Sequence, residues 1–233
     1  MKKQIIALGG GGFSTEPDNP LLDQYILAQT NKRKPRVCFL ATASGDAPGY
    51  IMKFYTAFLK LNCIPTHLSL FELPTKDLEV FILEQDVIYV GGGNTRSLLA
   101  LWREWGLDVY LRTAWNKGTV MCGISAGSIC WFDEGLSDFF PGELNRLKGL
   151  GFLKGSNCPH YDGEKNRRPA YHKLISRGEI SAGVAAEDGV ALHYVGAKLE
   201  KVISSRPDGK AYLVKKKSAA IVEKEIPAVY LGL

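Results

Sequence analysis

Thr119-Val120-Met121-Cys122-Gly123-Ile124-Ser125-Ala126-Gly127 decides the fold. Its first five residues form a short apolar run, the pattern of a strand buried on both faces. The Gly-x-Ser-x-Gly that closes it has the order of a nucleophile elbow: a strand delivers the serine, small neighbours permit a strained turn, and the hydroxyl projects above the sheet's carboxyl edge. The amide of Ala126 then points into the same space, beside a helix N-terminus that favours developing negative charge. The pattern alone occurs by chance as a plain tight turn. Its position between a strand and a helix-compatible segment gives it weight.

Upstream, the same alternation repeats. Gln4–Leu8 predicts a strand that runs into four glycines, Gly9 to Gly12, and Leu21–Ala28 has apolar residues at helical spacing. Strands are expected over 37–41, 66–71 and Val87–Val90, with helices over 50–61, 76–83, 98–105 and 108–117. Asn94 and Thr95 are positioned to cap the helix that follows Gly91-Gly92-Gly93. Repeated strand–helix–strand units with continuously apolar strands predict a mostly parallel sheet covered on both faces, an α/β sandwich of three layers. Past residue 130 the pattern loosens. A loop-rich stretch is expected over 131–158, then a helix over 168–176. Short strands over 182–186, Val190–Val195, 199–204, 210–214 and 219–222 are expected to add an antiparallel extension to that sheet. No linker or solenoid repeat interrupts the chain, so one domain over 1–233 is expected.

Composition narrows the function classes. The chain has 233 residues, 45% hydrophobic and 23% charged, which argues against disordered, collagen-like and coiled-coil classes. Five cysteines without a CxxC spacing argue against a disulfide framework and a zinc site, so neither metal nor cofactor is expected. The start Met1-Lys2-Lys3 leads straight into a strand pattern and no apolar run is long enough to span a bilayer, so a cytoplasmic protein without membrane contact is expected. A net charge of +5, concentrated in Lys32-Arg33-Lys34 and Lys215-Lys216-Lys217 without interleaved aromatics, does not describe a nucleic-acid surface. The expected partner is a small peptide, with the chain a monomer or a homodimer.

A serine hydroxyl needs a base, and the base needs an orienting group. Of the four histidines, His67, His172 and His193 fall in elements where structural roles suffice, and His172 is the nearest competitor to His160. His160 lies in Asn157-Cys158-Pro159-His160-Tyr161-Asp162, a proline-fixed loop that presents an imidazole rigidly. Glu187, at the end of a strand, is the leading third member, with Asp162, Asp133, Glu134 and Asp138 left as alternatives. The amides of Gly92 or Gly93 are placed to join that of Ala126 in an oxyanion hole, since adjoining carboxyl ends of a parallel sheet meet in one crevice. The competing account of these glycines is a helix cap with close packing. Gly9 to Gly12 invites a dinucleotide reading, but the helix begins only near Leu21 and Glu16-Pro17-Asp18 intervenes.

The VGGGNT at residues 90–95, the GISAGS at 123–128 and the CPHYDGE at 158–164, in this order, resemble the peptidase E (aspartyl dipeptidase) and cyanophycinase family. The similarity spans nearly the whole chain, including the AEDG at 186–189. It implies a class I glutamine-amidotransferase-like fold with serine in place of cysteine, and a dipeptidase-like serine peptidase. It further implies Ser125 as nucleophile, His160 as base and Glu187 as the acid, with Asp138 the alternative acid. Asn94, Thr95, Arg167 and Arg168 are the substrate-binding side chains it suggests. One departure concerns specificity. Family aspartyl dipeptidases resemble GETR after the histidine loop, its arginine pairing the substrate's acidic side chain, whereas residues 163–166 here read GEKN, with Arg167 and Arg168 just beyond. A bidentate arginine clamp is sensitive to position. Either one of these arginines takes over, or preference for an N-terminal acidic residue is lost. The alternative to an enzyme is a non-catalytic binding or regulatory member of the same fold. A glutaminase is disfavoured because Cys122 and Cys130 flank the elbow without occupying its apex.

Overall fold

Gln4–Leu8 (β1), Val87–Val90 (β4) and Val120–Ile124 (β5) are buried along their whole lengths. Strands apolar on both faces belong in the middle of a covered parallel sheet. In the computed structural model, which describes residues 2–232, β1 pairs in parallel with β5, and β5 with β4. Leu8 lies beside Ile124 and Val90 beside Gly123, so the carboxyl ends of these three strands finish side by side. Arg36–Leu40 (β2) and Ile64–His67 (β3) extend the sheet in parallel beyond β4. On the other flank Val190–Val195 (β10) and Lys198–Ser204 (β11) add antiparallel strands, and Val229–Tyr230 (β14) ends the sheet in parallel with β11. The order is β14-β11-β10-β1-β5-β4-β2-β3.

Helices cover both faces. Gly12–Thr15 (α1), Leu21–Ala28 (α2) and Pro48–Phe58 (α3) close one face over a core that includes Phe13, Phe39, Phe54, Phe58 and Tyr89. Leu78–Leu83 (α4), Thr95–Glu104 (α5) and Leu107–Lys117 (α6) contribute Ile82, Leu98, Trp102 and Leu111 to the core on the other. Asn94 caps α5 as its sequence predicts, accepting from Ser97 N at 3.0 Å. Ala126–Ile129 (α7) is a single turn leaving β5.

Residues 131–158 are not the expected loop. They form Phe132–Phe140 (β6), Glu143–Lys148 (β7) and Leu153–Cys158 (β8). With Gly183–Ala186 (β9), Ala211–Lys217 (β12) and Ala220–Ile226 (β13) they build a second, six-stranded sheet in the order β13-β12-β9-β8-β6-β7. The C-terminal strands thus divide between the two sheets, only β10, β11 and β14 extending the first. The second sheet was illegible because its inward positions carry polar residues. Glu134 in β6 is buried, but the Ser181 amide and hydroxyl and the Arg146 guanidinium hold it. Burial alone would favour its neutral form, yet those partners keep its carboxyl below the usual range. Arg167–Arg177 (α8) packs on this sheet through Tyr171 and Ile175. The third strand also forms earlier than expected, at Ile64–His67 rather than 66–71. Pairing with β2 sets that register, and Pro65 is tolerated because β3 is an edge strand.

One buried acid sits beneath the first glycine cluster. Asp23 is 2% exposed, and its Oδ1 has no hydrogen-bond partner among the described residues. Burial pushes its carboxyl up to about 7. The unfolded chain releases this proton near pH 4 and the folded chain only near neutrality. The stability linked to Asp23 is therefore complete below about pH 4 and is lost as pH rises through about 7. We expect the stability difference between Asp23→Asn and the wild type, measured by urea unfolding, to shift in the variant's favour by roughly 4 kcal/mol between about pH 4 and pH 8.5. A difference that does not move with pH contradicts this.

Candidate active site

Ser125 follows β5 with φ 57° and ψ −111°, a conformation that costs a side-chain-bearing residue on the order of 1–3 kcal/mol. The turn is possible because Gly123 and Gly127 lack side chains. A Cβ on Gly127 would overlap the Val90 carbonyl, and one on Gly123 would overlap the carbonyls of Gly127 and Val90. The elbow expected at Ser125 is therefore formed, with α7 pressed against β4.

His160 reaches the same edge through backbone anchors. Ser125 N donates to Leu8 O at 3.3 Å, and His160 N donates to Gly9 O at 3.0 Å. Two consecutive carbonyls at the end of β1 thus hold Ser125 and His160. His160 also adopts a left-handed conformation, φ 53°. Its Nδ1 donates to Asp188 Oδ1 at 2.6 Å, which leaves Nε2 without a partner among the described residues. Ser125 Oγ likewise makes no hydrogen bond among them. The serine–histidine bond is open in this structure, as such bonds often are before substrate binds.

The acid on His160 is Asp188, which corrects both expected candidates. Glu187 accepts from Lys210 N at 2.9 Å and from the Tyr212 hydroxyl at 3.0 Å. Asp138 lies 3.4 Å from the Arg167 guanidinium. Val190 N donates to Glu187 O at 3.2 Å, closing a turn that holds Asp188 and Gly189, so the side chains of Glu187 and Asp188 leave the chain toward different partners. The first glycine cluster explains which of them meets the histidine. A Cβ on Gly10 would overlap Asp188 Oδ1, and one on Gly163 would overlap Oδ2. The Asp188 carboxylate occupies a slot that two glycines leave open. Asp162 accepts the Asp188 amide at 2.8 Å and the Arg206 guanidinium at 2.9 Å, and Arg206 also lies 3.5 Å from Glu187. Burial would raise the Asp162 carboxyl, but these donors hold it below its usual range. Neither Asp188 nor Arg206 was named from the sequence. The signal for Asp188 was its place directly before Gly189, where the strand direction breaks at φ 74°.

Of the three amides expected in the oxyanion hole, two remain open. Gly92 N donates to the Tyr50 hydroxyl at 3.2 Å and is therefore occupied. The amides of Gly93 and Ala126 have no acceptor among the described residues. Gly93 is exposed, and a Cβ on Gly92 would stand 3.4 Å from Ser125 Cβ and 4.0 Å from its Oγ. The second glycine cluster therefore flanks Ser125.

The expected substrate-binding side chains are engaged elsewhere. Thr95 is 1% exposed and bonded to Ser137, and Asn94 spends its amide on Ser97 N and Phe139 O. Arg167 is buried, bound to Glu164, Asp138 and Leu136 O. Arg168 is paired with Glu223 and lies over the rings of Tyr161 and Tyr212. His172 faces Glu223 and Tyr161, His67 faces Tyr55, and His193 faces Tyr25 and Gln4, so none of them competes with His160. Cys158 is fully buried and its thiol is pushed up to about 12 by burial, which makes it a packing residue. Among the described residues no three His, Cys, Asp or Glu side chains are grouped to hold a metal ion. Among the described residues no helix is long and apolar enough to cross a membrane.

The family model for peptidase family S51 matches residues 5–202. A relative from Bacillus subtilis (strain 168), the uncharacterized peptidase YgaJ, is 60% identical over 230 residues, covering 99% of this chain and 100% of its own. Two solved structures share the fold. A peptidase from an acI-B1 Actinobacterium superposes with a TM-score of 0.70 at 16% identity, over 98% of this chain and 95% of its own. A protein from Listeria monocytogenes EGD-e named for peptidase E superposes with a TM-score of 0.64 at 19% identity, over 88% and 99%.

The Asp188 assignment has a direct check. Asp188→Asn should lower kcat/KM for peptide hydrolysis by about 10³–10⁴-fold, the loss typical when a base loses its orienting carboxylate. Glu187→Gln should lower it by less than about tenfold. The reverse ranking would return the role to Glu187.

Proposed function

This chain belongs to peptidase family S51, a serine-type peptidase family, and we propose that it hydrolyses short peptides through Ser125, with His160 as base and Asp188 as its orienting acid. The observation that carries this is the anchoring of Ser125 and His160 to the adjacent carbonyls of Leu8 and Gly9, with the imidazole already bound to an acid through Nδ1. That bond fixes the tautomer, with the proton on Nδ1 and Nε2 left as the acceptor.

Ser125 Oγ attacks the scissile carbonyl as His160 Nε2 takes its proton. The carbonyl oxygen becomes an oxyanion, held by the amides of Gly93 and Ala126. The imidazolium, steadied by Asp188, gives its proton to the departing amine, and the C–N bond breaks to leave an acyl-enzyme. Water, deprotonated by the same nitrogen, then releases the acid and restores the serine.

The substrate's first residue need not be acidic. The arginine of the related GETR segment is absent at Asn166, and Arg167 and Arg168 are committed to Glu164, Asp138 and Glu223. A guanidinium so bound has no free fork for a second carboxylate. We therefore propose uncharged N-terminal residues as the better substrates.

A non-catalytic scaffold is the second account, and the open serine–histidine contact is what favours it. A fluorophosphonate separates the two: an active elbow is labelled at Ser125, an inert one is not. In a dipeptide panel, Ala-Leu and Met-Leu should be cleaved at least as fast as Asp-Leu and Glu-Leu. Ser125→Ala should lose at least about 10³-fold in kcat while keeping its thermal midpoint. Strong preference for Asp-Leu would contradict the specificity, and retained turnover in the variant would contradict the mechanism.

A further inference from the structure

Tyr50 stands in the first turn of α3, far from the motifs that mark the site, yet its hydroxyl touches the glycine turn beside the nucleophile. Three of the four amides in that turn are pinned. Gly91 N donates to Leu40 O at 3.0 Å, Gly92 N to Tyr50 Oη at 3.2 Å, and Asn94 N to Ala43 O at 2.7 Å. Gly93 N is the amide left over. Of the three pins, two are backbone carbonyls of the sheet and its following turn, and Tyr50 is the only side chain.

The phenol is itself held in place. Its hydroxyl lies 2.9 Å from Ser14 Oγ in α1, and its ring packs edge-on to Phe39 at 5.1 Å and against Phe13 at 5.7 Å. The ring also supports the turn from beneath: a Cβ on Gly91 would stand 2.9 Å from Tyr50 Cε1. Burial raises the phenol above its ordinary range, so it keeps its proton at any pH at which the enzyme would work.

We infer that Tyr50 is a positioning residue for the oxyanion site, holding the Gly92 amide aside so that the Gly93 amide faces the oxygen of the carbonyl attacked by Ser125. The inference rests on the proposed serine peptidase chemistry. It adds a residue that no motif contains and excludes Gly92 as an oxyanion donor. A free turn of three glycines samples many orientations; a donor helps only if it is aimed before charge develops.

The test compares wild type, Tyr50→Phe and Ser14→Ala on the fastest dipeptide of the panel, and measures inhibition by the amino aldehyde bearing the same first residue. The aldehyde forms a tetrahedral adduct with the serine and so reports on the oxyanion site. Tyr50→Phe keeps the ring and removes the hydroxyl with its hydrogen bonds to Gly92 N and Ser14 Oγ, of which the bond to the glycine amide is worth up to about tenfold. Its kcat should fall about tenfold with KM within about threefold, and the aldehyde's Ki should weaken in parallel. A hydrolysis-resistant dipeptide isostere should bind as it does to the wild type. A purely structural tyrosine would lower the thermal midpoint without this split. Ser14→Ala, which frees the hydroxyl but leaves the core intact, should show the same pattern at about threefold, and it decides the matter if Tyr50→Phe does not fold.

Unchanged kcat and aldehyde affinity in the folded variants overturn the role of Tyr50 while fluorophosphonate labelling of the wild type at Ser125 leaves the peptidase intact. Absence of that labelling overturns both.

Discussion

The end of β1 is the part on which the rest depends. Leu8 and Gly9 offer consecutive carbonyls, one to Ser125 N and the next to His160 N. The two residues are 35 positions apart in the chain and arrive from different sheets, one from β5 and the other from the loop after β8. Two backbone hydrogen bonds to a fully buried strand bring them to one edge. Gly9 is needed there because a side chain would overlap the carbonyls of Ala186 and Glu187, the segment that carries the acid. Ser125, His160 and the segment that carries Asp188 therefore share a single anchor, and a shift of β1 would move all three together.

Both Ser125 and His160 hold positive φ, at 57° and 53°. Strain of this kind persists only where the surroundings over-determine it. Around Ser125 the surroundings are Val90 and the two flanking glycines; around His160 they are Gly9, Asp188 and the Arg206–Asp162 link that steadies the acid. Charge is balanced in the same region. Arg206 faces Asp162 and Glu187, while Asp188 is left to the His160 imidazole.

Much of this was legible in the sequence because short-range rules governed it. β5 and the elbow follow from an apolar run closed by small residues, and α5 follows from the Asn94 cap and the spacing of Leu98, Leu99 and Trp102. His160 stood out through its proline-fixed loop. What was not legible depends on long-range contacts. Residues 131–158 carry Asp133, Glu134 and Ser137 at strand positions, and nothing local shows that Arg146 and Ser181 satisfy Glu134. Glu187 and Asp188 differ by one position, and the choice between them is made by the empty space at Gly10 and Gly163, far away in sequence. Gly10, in the cluster after β1 that invites a dinucleotide reading, makes room for the Asp188 carboxylate. Arg167 looked like a substrate clamp, but it is closed in by Glu164 three residues before it, together with Asp138 from β6.

The central claim is that one sheet edge gathers Ser125, His160 and the amides of Gly93 and Ala126 around a single carbonyl group, the hydroxyl toward its carbon and the amides toward its oxygen. A crystal structure of the protein with an amino aldehyde or fluorophosphonate bound measures this most directly. The account predicts a covalent bond to Ser125 Oγ, the adduct oxygen about 3 Å from the amides of both Gly93 and Ala126, and His160 Nε2 turned toward Oγ with Asp188 still on Nδ1. An adduct on another residue, or one whose oxygen faces away from those amides, would contradict it.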